Sequence, residues 1–231
     1  MSWNFPEYSS SATVGWWRVA LVGLLLLLGW ELSAWDQPIA AWFGNAEGFA
    51  WRDRWLTAGL AHRGGRMLAG VVLVVLAINA WRPLWAGVSA RRARWAFAAT
   101  VLCLLLIPLL KRGSATSCPW DLQQFGGMAV YVPHWSWVRG DGGPGHCFPS
   151  GHASAAFAFL STYFMFRPRR PMLARWSLAL VLVLGLTYGL AQLARGAHFP
   201  SHTLWTAWIC WVVCGALMGK FGQDRDARQL Y

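Results

Sequence analysis

WAFAATVLCLLLIPLL, residues 95–110, runs between Arg94 and the pair Lys111-Arg112 without a charge. A helix needs about 20 mostly apolar residues, with a range of roughly 17–25, to cross the hydrocarbon core of a bilayer. Five further runs are of the same kind: Gly15–Trp35, centred on Val19–Trp30; Met67–Trp85; Gly151–Phe166; Trp176–Ala194; and His202–Gly219. None alternates polar and apolar residues as a barrel strand does, and Leu, Ala and Val dominate. The chain is therefore expected to be all-α, a polytopic membrane bundle of about six transmembrane helices.

Composition agrees with that expectation. Of 231 residues, 56% are hydrophobic and 13% charged, against about 25% charged in an ordinary soluble domain. So little charge cannot cover a soluble globule, which argues against a soluble enzyme, and so apolar a chain is not disordered. Twenty basic residues against nine acidic give a net charge of +11. That excess suits nucleic acid, an anionic membrane surface or an anionic substrate. Nucleic acid needs a clustered basic face; here the charges are short punctuation between apolar runs, so no nucleic-acid partner is expected. Trp16, Trp17, Trp30, Trp35, Trp81, Trp85, Trp95 and Trp176 stand where the runs begin and end, the placement of an interfacial aromatic belt. Met1–Gly15 holds Glu7 and no basic residue, unlike the basic leader of a signal peptide, so the first run reads as a retained span.

The loops suggest an orientation. Arg82, Arg91, Arg92 and Arg94 lie between runs two and three. Arg167, Arg169, Arg170 and Arg175 lie between runs four and five, and Lys220, Arg225 and Arg228 follow run six. Six crossings put all three groups on one side, and the positive-inside rule makes that side cytoplasmic. Arg52, Arg54, Arg63 and Arg66 fall on the other side; with Trp51 and Trp55 they read as an amphipathic interfacial stretch. The long loop Gly113–Ser150 is rich in Gly and Pro, yet Trp120, Phe125, Tyr131, Trp135 and Trp137 argue for an ordered, functional loop. His134 and His146 in that loop read as solvated or hydrogen-bonded residues rather than catalysts.

Three polar clusters interrupt the apolar pattern: Lys111-Arg112 with Cys118-Pro119-Trp120-Asp121; Cys147-Phe148-Pro149-Ser150-Gly151-His152; and Gln192 with Arg195-Gly196-Ala197-His198-Phe199-Pro200-Ser201-His202. Six crossings bring all three to the extracytoplasmic face, where they would form one site. Ser150-Gly151-His152 falls at an expected helix start, whose free N–H groups and dipole suit an anion. Lys111 adds a point charge and Arg195 a planar fork of donors. Two imidazoles beside an anion suit phosphoryl transfer, one attacking phosphorus and the other protonating the leaving oxygen. His202 lies one helical turn beyond His198 and could orient it.

At these residues the chain resembles the type 2 phosphatidic acid phosphatase and haloperoxidase superfamily. Its signature is Lys, six residues, Arg-Pro; then Pro-Ser-Gly-His; then Ser-Arg, five residues, His, three residues, Asp. Here Lys111 precedes Cys118-Pro119 by that spacing, Pro149-Ser150-Gly151-His152 matches without change, and Gln192, His198 and His202 occupy the third motif. The resemblance covers Trp95–Gly219. It implies that His198 is a nucleophile forming a phosphohistidine, that His152 is the general acid, and that Lys111, Ser150 and Gly151 bind phosphate. His202 would take the orienting place. It also implies chemistry without metal or organic cofactor. The expected protein is a multi-pass phosphatase of lipid phosphates or diphosphates in a bacterial inner membrane, its site facing the periplasm. Lipid phosphate and membrane lipids are the expected partners. The expected organisation is a membrane region at 1–94, a phosphatase core at 95–220 and a cytoplasmic tail at 221–231.

Cys118, Gln192 and His202 depart from that signature. Arg195 or Arg112 would have to supply the lost charge, and His202 would orient His198 through a neutral imidazole or not at all. A lipid phosphotransferase, or a non-catalytic relative keeping the anion pocket, are the alternatives. Cys118 and Cys147 share an expected oxidising compartment, which leaves a disulfide or two free thiols open. Cys210 and Cys214, on one face of run six, read as packing residues rather than metal ligands.

Overall fold

A computed structural model of the chain describes residues 15–135 and 140–221; Trp137 and the expected tail beyond Phe221, with Arg225 and Arg228, lie outside them. Helix α1 spans Trp16–Ser33, α2 Asp36–Ala40, α3 Gly65–Trp81, α4 Ala90–Arg112, α5 Ser154–Phe157, α6 Leu160–Phe166, α7 Pro171–Ala194 and α8 Pro200–Phe221. A two-stranded hairpin (β1 Gly44–Asn45, β2 Gly48–Phe49) pairs Gly44 with Phe49 and Asn45 with Gly48. Beyond it Trp55–Gly64 forms a π-helix that runs unbroken into α3. The second span thus starts twelve residues before the expected Met67, and Trp55, Arg63 and Arg66 of the stretch expected to lie along the interface are part of a 27-residue helical rod, whereas Trp51, Arg52 and Arg54 precede it.

Among the described residues, five helical segments are long and apolar enough to cross a bilayer: Trp16–Ser33, Trp55–Trp81, Ala90–Arg112, Pro171–Ala194 and Pro200–Lys220. The fourth expected span differs. It is the short pair α5–α6, Ser154–Phe166, about 20 Å long at 1.5 Å per residue against a hydrocarbon core of about 30 Å. Phe157, Leu160, Phe164, Met165 and Phe166 are all buried. This segment is apolar because it fills the protein interior, not because it faces lipid. By contrast Leu25, Leu26, Val71, Leu105 and Val183 on the long helices are exposed, as a lipid-facing surface requires.

Capping and packing explain the arrangement. Ser89 caps α4 by accepting from the Arg92 N–H at 3.3 Å. Pro171 and Pro200 open α7 and α8, where a missing N–H costs nothing. Trp205, Trp208 and Trp211 recur along one face of α8 and dock α1, their indole N–H groups donating to Glu31 Oε1 (2.8 Å), Ala20 O (2.8 Å) and Trp16 O (3.0 Å). Phe157 of α5 lies flat on α7 because position 185 is Gly: a Cβ there would stand 2.4 Å from the ring. In the core, Cys103 of α4 joins Cys214 of α8 at 3.8 Å, with its sulfur 4.0 Å from Cys210 O. The Cys210–Cys214 face of run six thus packs with a third cysteine from another helix.

The two ends of the bundle differ. At one end Arg170 Nε donates to Ala86 O at 2.6 Å, Gly15 abuts Arg167, and Gly219 abuts Trp16. That end collects the α3–α4 turn, the α6–α7 turn and the last turn of α8. At the other end Trp120 N–H donates to Gly196 O at 2.9 Å, and Arg195 Nε to Arg52 O at 2.7 Å. The short α5–α6 pair therefore carries the chain from one end to the other despite its length.

Candidate active site

The second end brings the three clusters together. Lys111, in the last turn of α4, lays its stem over Gly151, where a Cβ would lie 3.9 Å from Lys111 Cδ. Ser150 is fully buried; its N–H donates to His202 O at 3.2 Å, and its carbonyl accepts from Thr206 Oγ1 at 3.0 Å. These bonds pin the Pro-Ser-Gly-His segment against the start of α8. The expected long helix after Ser150 is absent: residues 151–153 form turns, and α5 adds one helical turn before the chain bends at Ala158-Phe159. A dipole summed over one turn is small, so the fixed charge of Lys111 carries more of any anion binding than the sequence implied.

His198 sits between α7 and α8 and is 1% exposed. Its Nδ1 lies 3.4 Å from His202 Nδ1, and its ring centroid 5.7 Å from that of His152. Nδ1 and Nε2 occupy opposite edges of an imidazole, so the pairing with His202 leaves Nε2 on the edge away from it. The approach to His198 depends on Gly196, which has φ +72° and whose Cβ would strike the Phe49 ring at 2.2 Å. Only glycine meets both conditions. Burial, reinforced by the charges of Lys111, His202 and His152, holds the His198 imidazole well below its ordinary value. The ring is therefore neutral at neutral pH, with a lone pair available.

Cys118 and Cys147 are joined by a disulfide. The Cys147 sulfur lies 3.6 Å from His198 Nδ1. Cys147 Sγ, His198 and His202 all offer atoms within 4.8 Å of one another, a spacing that could suit a metal. A disulfide sulfur has no thiolate to give, so the set lacks its anionic ligand.

The two expected replacement cations are placed differently from Lys111. Arg112 is exposed. Arg195 donates through Nη1 to Gln192 Oε1 at 3.3 Å and lies 6.0 Å from the Trp120 ring, which also faces Arg52 at 4.6 Å. Arg195 thus packs the hairpin onto the site end. A cavity of about 430 Å³ opens instead between α3, α4 and α5, lined by Arg66, Gly70, Leu73, Leu104, Gly151 and His152. Arg66, read from sequence as an interfacial charge, shares that cavity with the catalytic candidate His152.

Other residues lie at the site that no sequence signal placed there. His134 is buried rather than solvated, stacked on Phe148 at 4.1 Å and edge-on to His202 at 5.7 Å. Its Nε2 lies 3.2 Å from Glu31 Oε1, an ion-pair distance without hydrogen-bond alignment. Asp36 Oδ1 accepts from Ser201 N–H and from Trp30 Nε1, both at 3.0 Å, while Oδ2 accepts from Ser201 Oγ. Burial raises the Asp36 carboxyl above its ordinary value, against the pull of these bonds. Asp141 accepts from Ser117 N, Ser117 Oγ and Gly143 N, and so folds the long loop. His146 is exposed.

An all-helical membrane bundle that gathers Lys111, Pro149-Ser150-Gly151-His152 and the buried His198 at one end defines a class, that of membrane phosphoryl-transfer proteins. A family model described as PAP2 superfamily matches residues 92–225, and the chain belongs to that superfamily, whose members are generally phosphatases. No curated protein and no solved structure matches it.

Proposed function

We propose that the protein is an integral membrane phosphatase that releases phosphate from a lipid phosphate or diphosphate through a phosphohistidine on His198. The observation that carries this reading is the row of three imidazoles: a neutral His198 with Nδ1 engaged by His202 and His152 on its flank. His198 Nε2 attacks phosphorus as the bond to the leaving oxygen breaks, and His152 gives that oxygen a proton. Water then attacks the phosphohistidine, with His152 as base. Lys111, the Gly151 turn and Arg66 hold the phosphoryl oxygens, Arg66 replacing the charge absent at Cys118 and Gln192. The apolar floor of the same cavity (Gly70, Leu73, Leu104) admits a lipid chain beside a charged headgroup. The arginine-rich end faces the cytoplasm and the site the opposite side, in a bacterial inner membrane.

Phosphate release in detergent tests the reading, with a panel of lipid phosphates, EDTA present, and wild type beside His198→Ala. The expected result is release that persists in EDTA and falls at least about 10³-fold in the variant. Equal release by His198→Ala would remove His198 as nucleophile. Transfer of phosphate to a second lipid in place of release would make the protein a phosphotransferase.

A further inference from the structure

Away from the histidines, a groove of about 630 Å³ runs down the flank of the bundle, with α1 on one rim and α7 on the other. Its origin is the short α6. Seven residues make a helix about 10 Å long, which cannot fill the flank of a hydrocarbon core of about 30 Å. Tyr163 of α6 and Trp208 and Trp211 of α8 form the floor. Tyr163 stacks on Trp211 at 5.7 Å, and Gly23 lets α1 close on Trp208, where a Cβ would stand 3.2 Å from Cδ1. Val19 and Leu26 on one rim and Leu182 on the other stay exposed. The occupant of such a groove is apolar and comes from the membrane. From Val19 to Trp30 the groove is about 16 Å long at 1.5 Å per residue, about half the hydrocarbon core. That is the reach of one lipid chain in one leaflet.

The two ends of the groove differ in charge. At Trp30 the neighbours are acidic: Glu31 follows it, and its indole N–H donates to Asp36 Oδ1 at 3.0 Å. At the far end three arginines border it. Arg18 adjoins Val19, and Arg175 stands one turn before Leu178 on the same face of α7; both are exposed. Arg167 follows α6, its guanidinium 5.8 Å from the Tyr163 ring, and a Cβ at Gly15, just before α1, would stand 3.4 Å from its Nη2. Among the described residues every Asp and Glu (Glu31, Asp36, Glu47, Asp53, Asp121 and Asp141) belongs to the active-site end. A phosphate is therefore disfavoured at one end of the groove and favoured at the other.

We propose that this groove binds one anionic phospholipid from the leaflet at the arginine-rich end, with a chain along α1 and its phosphate held by Arg18, Arg167 and Arg175. The lipid fills the space that α6 leaves and ties α1 to the α6–α7 turn. Its phosphate lies at the end of the bundle opposite His198, so it is a bound partner and not a substrate. Neither chain nor phosphate meets the histidines, and the proposal is independent of the proposed activity.

Native mass spectrometry of the full-length protein in detergent tests the groove, with phosphatidylglycerol and phosphatidylcholine of the same chains as probes. Wild type is expected to retain one phosphatidylglycerol on the order of tenfold more tightly than phosphatidylcholine. Replacing Arg18, Arg167 and Arg175 together by Gln should bring the two affinities level. Ala207→Trp fills the groove from its floor and should abolish retention of both lipids. Leu182→Trp should do the same from the exposed rim, where added bulk leaves the interior packing alone, so the test survives if Ala207→Trp fails to fold. Equal retention of the two lipids by wild type, a preference that survives loss of the three arginines, or phosphatidylglycerol retained unchanged by the Trp variants would overturn the proposal. So would a wild-type dimer without lipid that the Trp variants dissociate, since a second copy would then cover the groove.

Discussion

The His198 side chain is fixed twice, its backbone by Gly196 and its ring by His202, and the burial that results has a thermodynamic signature. In the unfolded chain an imidazole titrates near 6.5; in the folded protein burial holds His198 well below that. Below about pH 6.5 the unfolded state therefore binds a proton that the folded state refuses, and stability falls as pH falls. The His198 contribution is complete above that pH and is lost as pH drops through the folded value. The thermal midpoint in detergent should fall more steeply between pH 7 and pH 5 for wild type than for His198→Gln. Parallel slopes would mean that the ring is reached by water. The residues that the fold gathers at the candidate site were readable because they sit in short motifs; the residues packed around them were not. Asp36 meets Ser201 across 165 positions, and Glu31 meets Trp205 across 174, and no local pattern announces either contact. His134 reads from sequence as solvated or hydrogen-bonded, and nothing local announces that Phe148 stacks on it.

At the scale of elements, the long helices followed from the length of their apolar runs, whereas α5–α6 did not. Periodicity reports apolar surroundings and cannot say whether lipid or protein supplies them. The same limit concealed the extension of α3 back to Trp55, since Arg54, Arg63 and Arg66 interrupt hydropathy without interrupting backbone hydrogen bonding. The long loop is held in another way, by the Asp141 bonds and by the disulfide between residues 29 apart. Closing a loop of about 30 residues contributes about 3–4 kcal/mol in the chain-entropy account. The double variant Cys118→Ala, Cys147→Ala should lose about that much unfolding free energy. It should also lose turnover, because the Cys147 sulfur packs against His198 Nδ1. Denaturant unfolding with and without reductant measures the first effect. An unchanged midpoint would assign the loop's order to Asp141 alone.

For the molecule as a whole, the family-matched segment 92–225 holds every motif residue, yet Glu31, Asp36, Arg52 and Arg66 reach the site from outside it. The segment from Glu31 to Arg66 thus contributes to the site end of the bundle. Charge is also distributed over the whole bundle. The end formed by the α3–α4 and α6–α7 turns carries Arg82, Arg167, Arg169 and Arg170 on short connections and Arg91 and Arg94 in the first turns of α4, where the positive-inside rule has most force. Arg52, Arg54, Arg63 and Arg66 at the opposite end oppose it, but Arg52 lies over Trp120, and Arg66 faces the cavity beside His152, so part of this charge is tied to the site. Orientation can be read with single cysteines, because Cys103, Cys210 and Cys214 are buried and the other two cysteines are bonded. Gln124 and Arg169 are exposed at opposite ends. In sealed, right-side-out vesicles a membrane-impermeant maleimide should label Gln124→Cys at once and Arg169→Cys only after permeabilisation. The reverse pattern would place the site in the cytoplasm, and would mean that the charges around Arg66 and Arg52, rather than the helix turns, set the insertion of the chain.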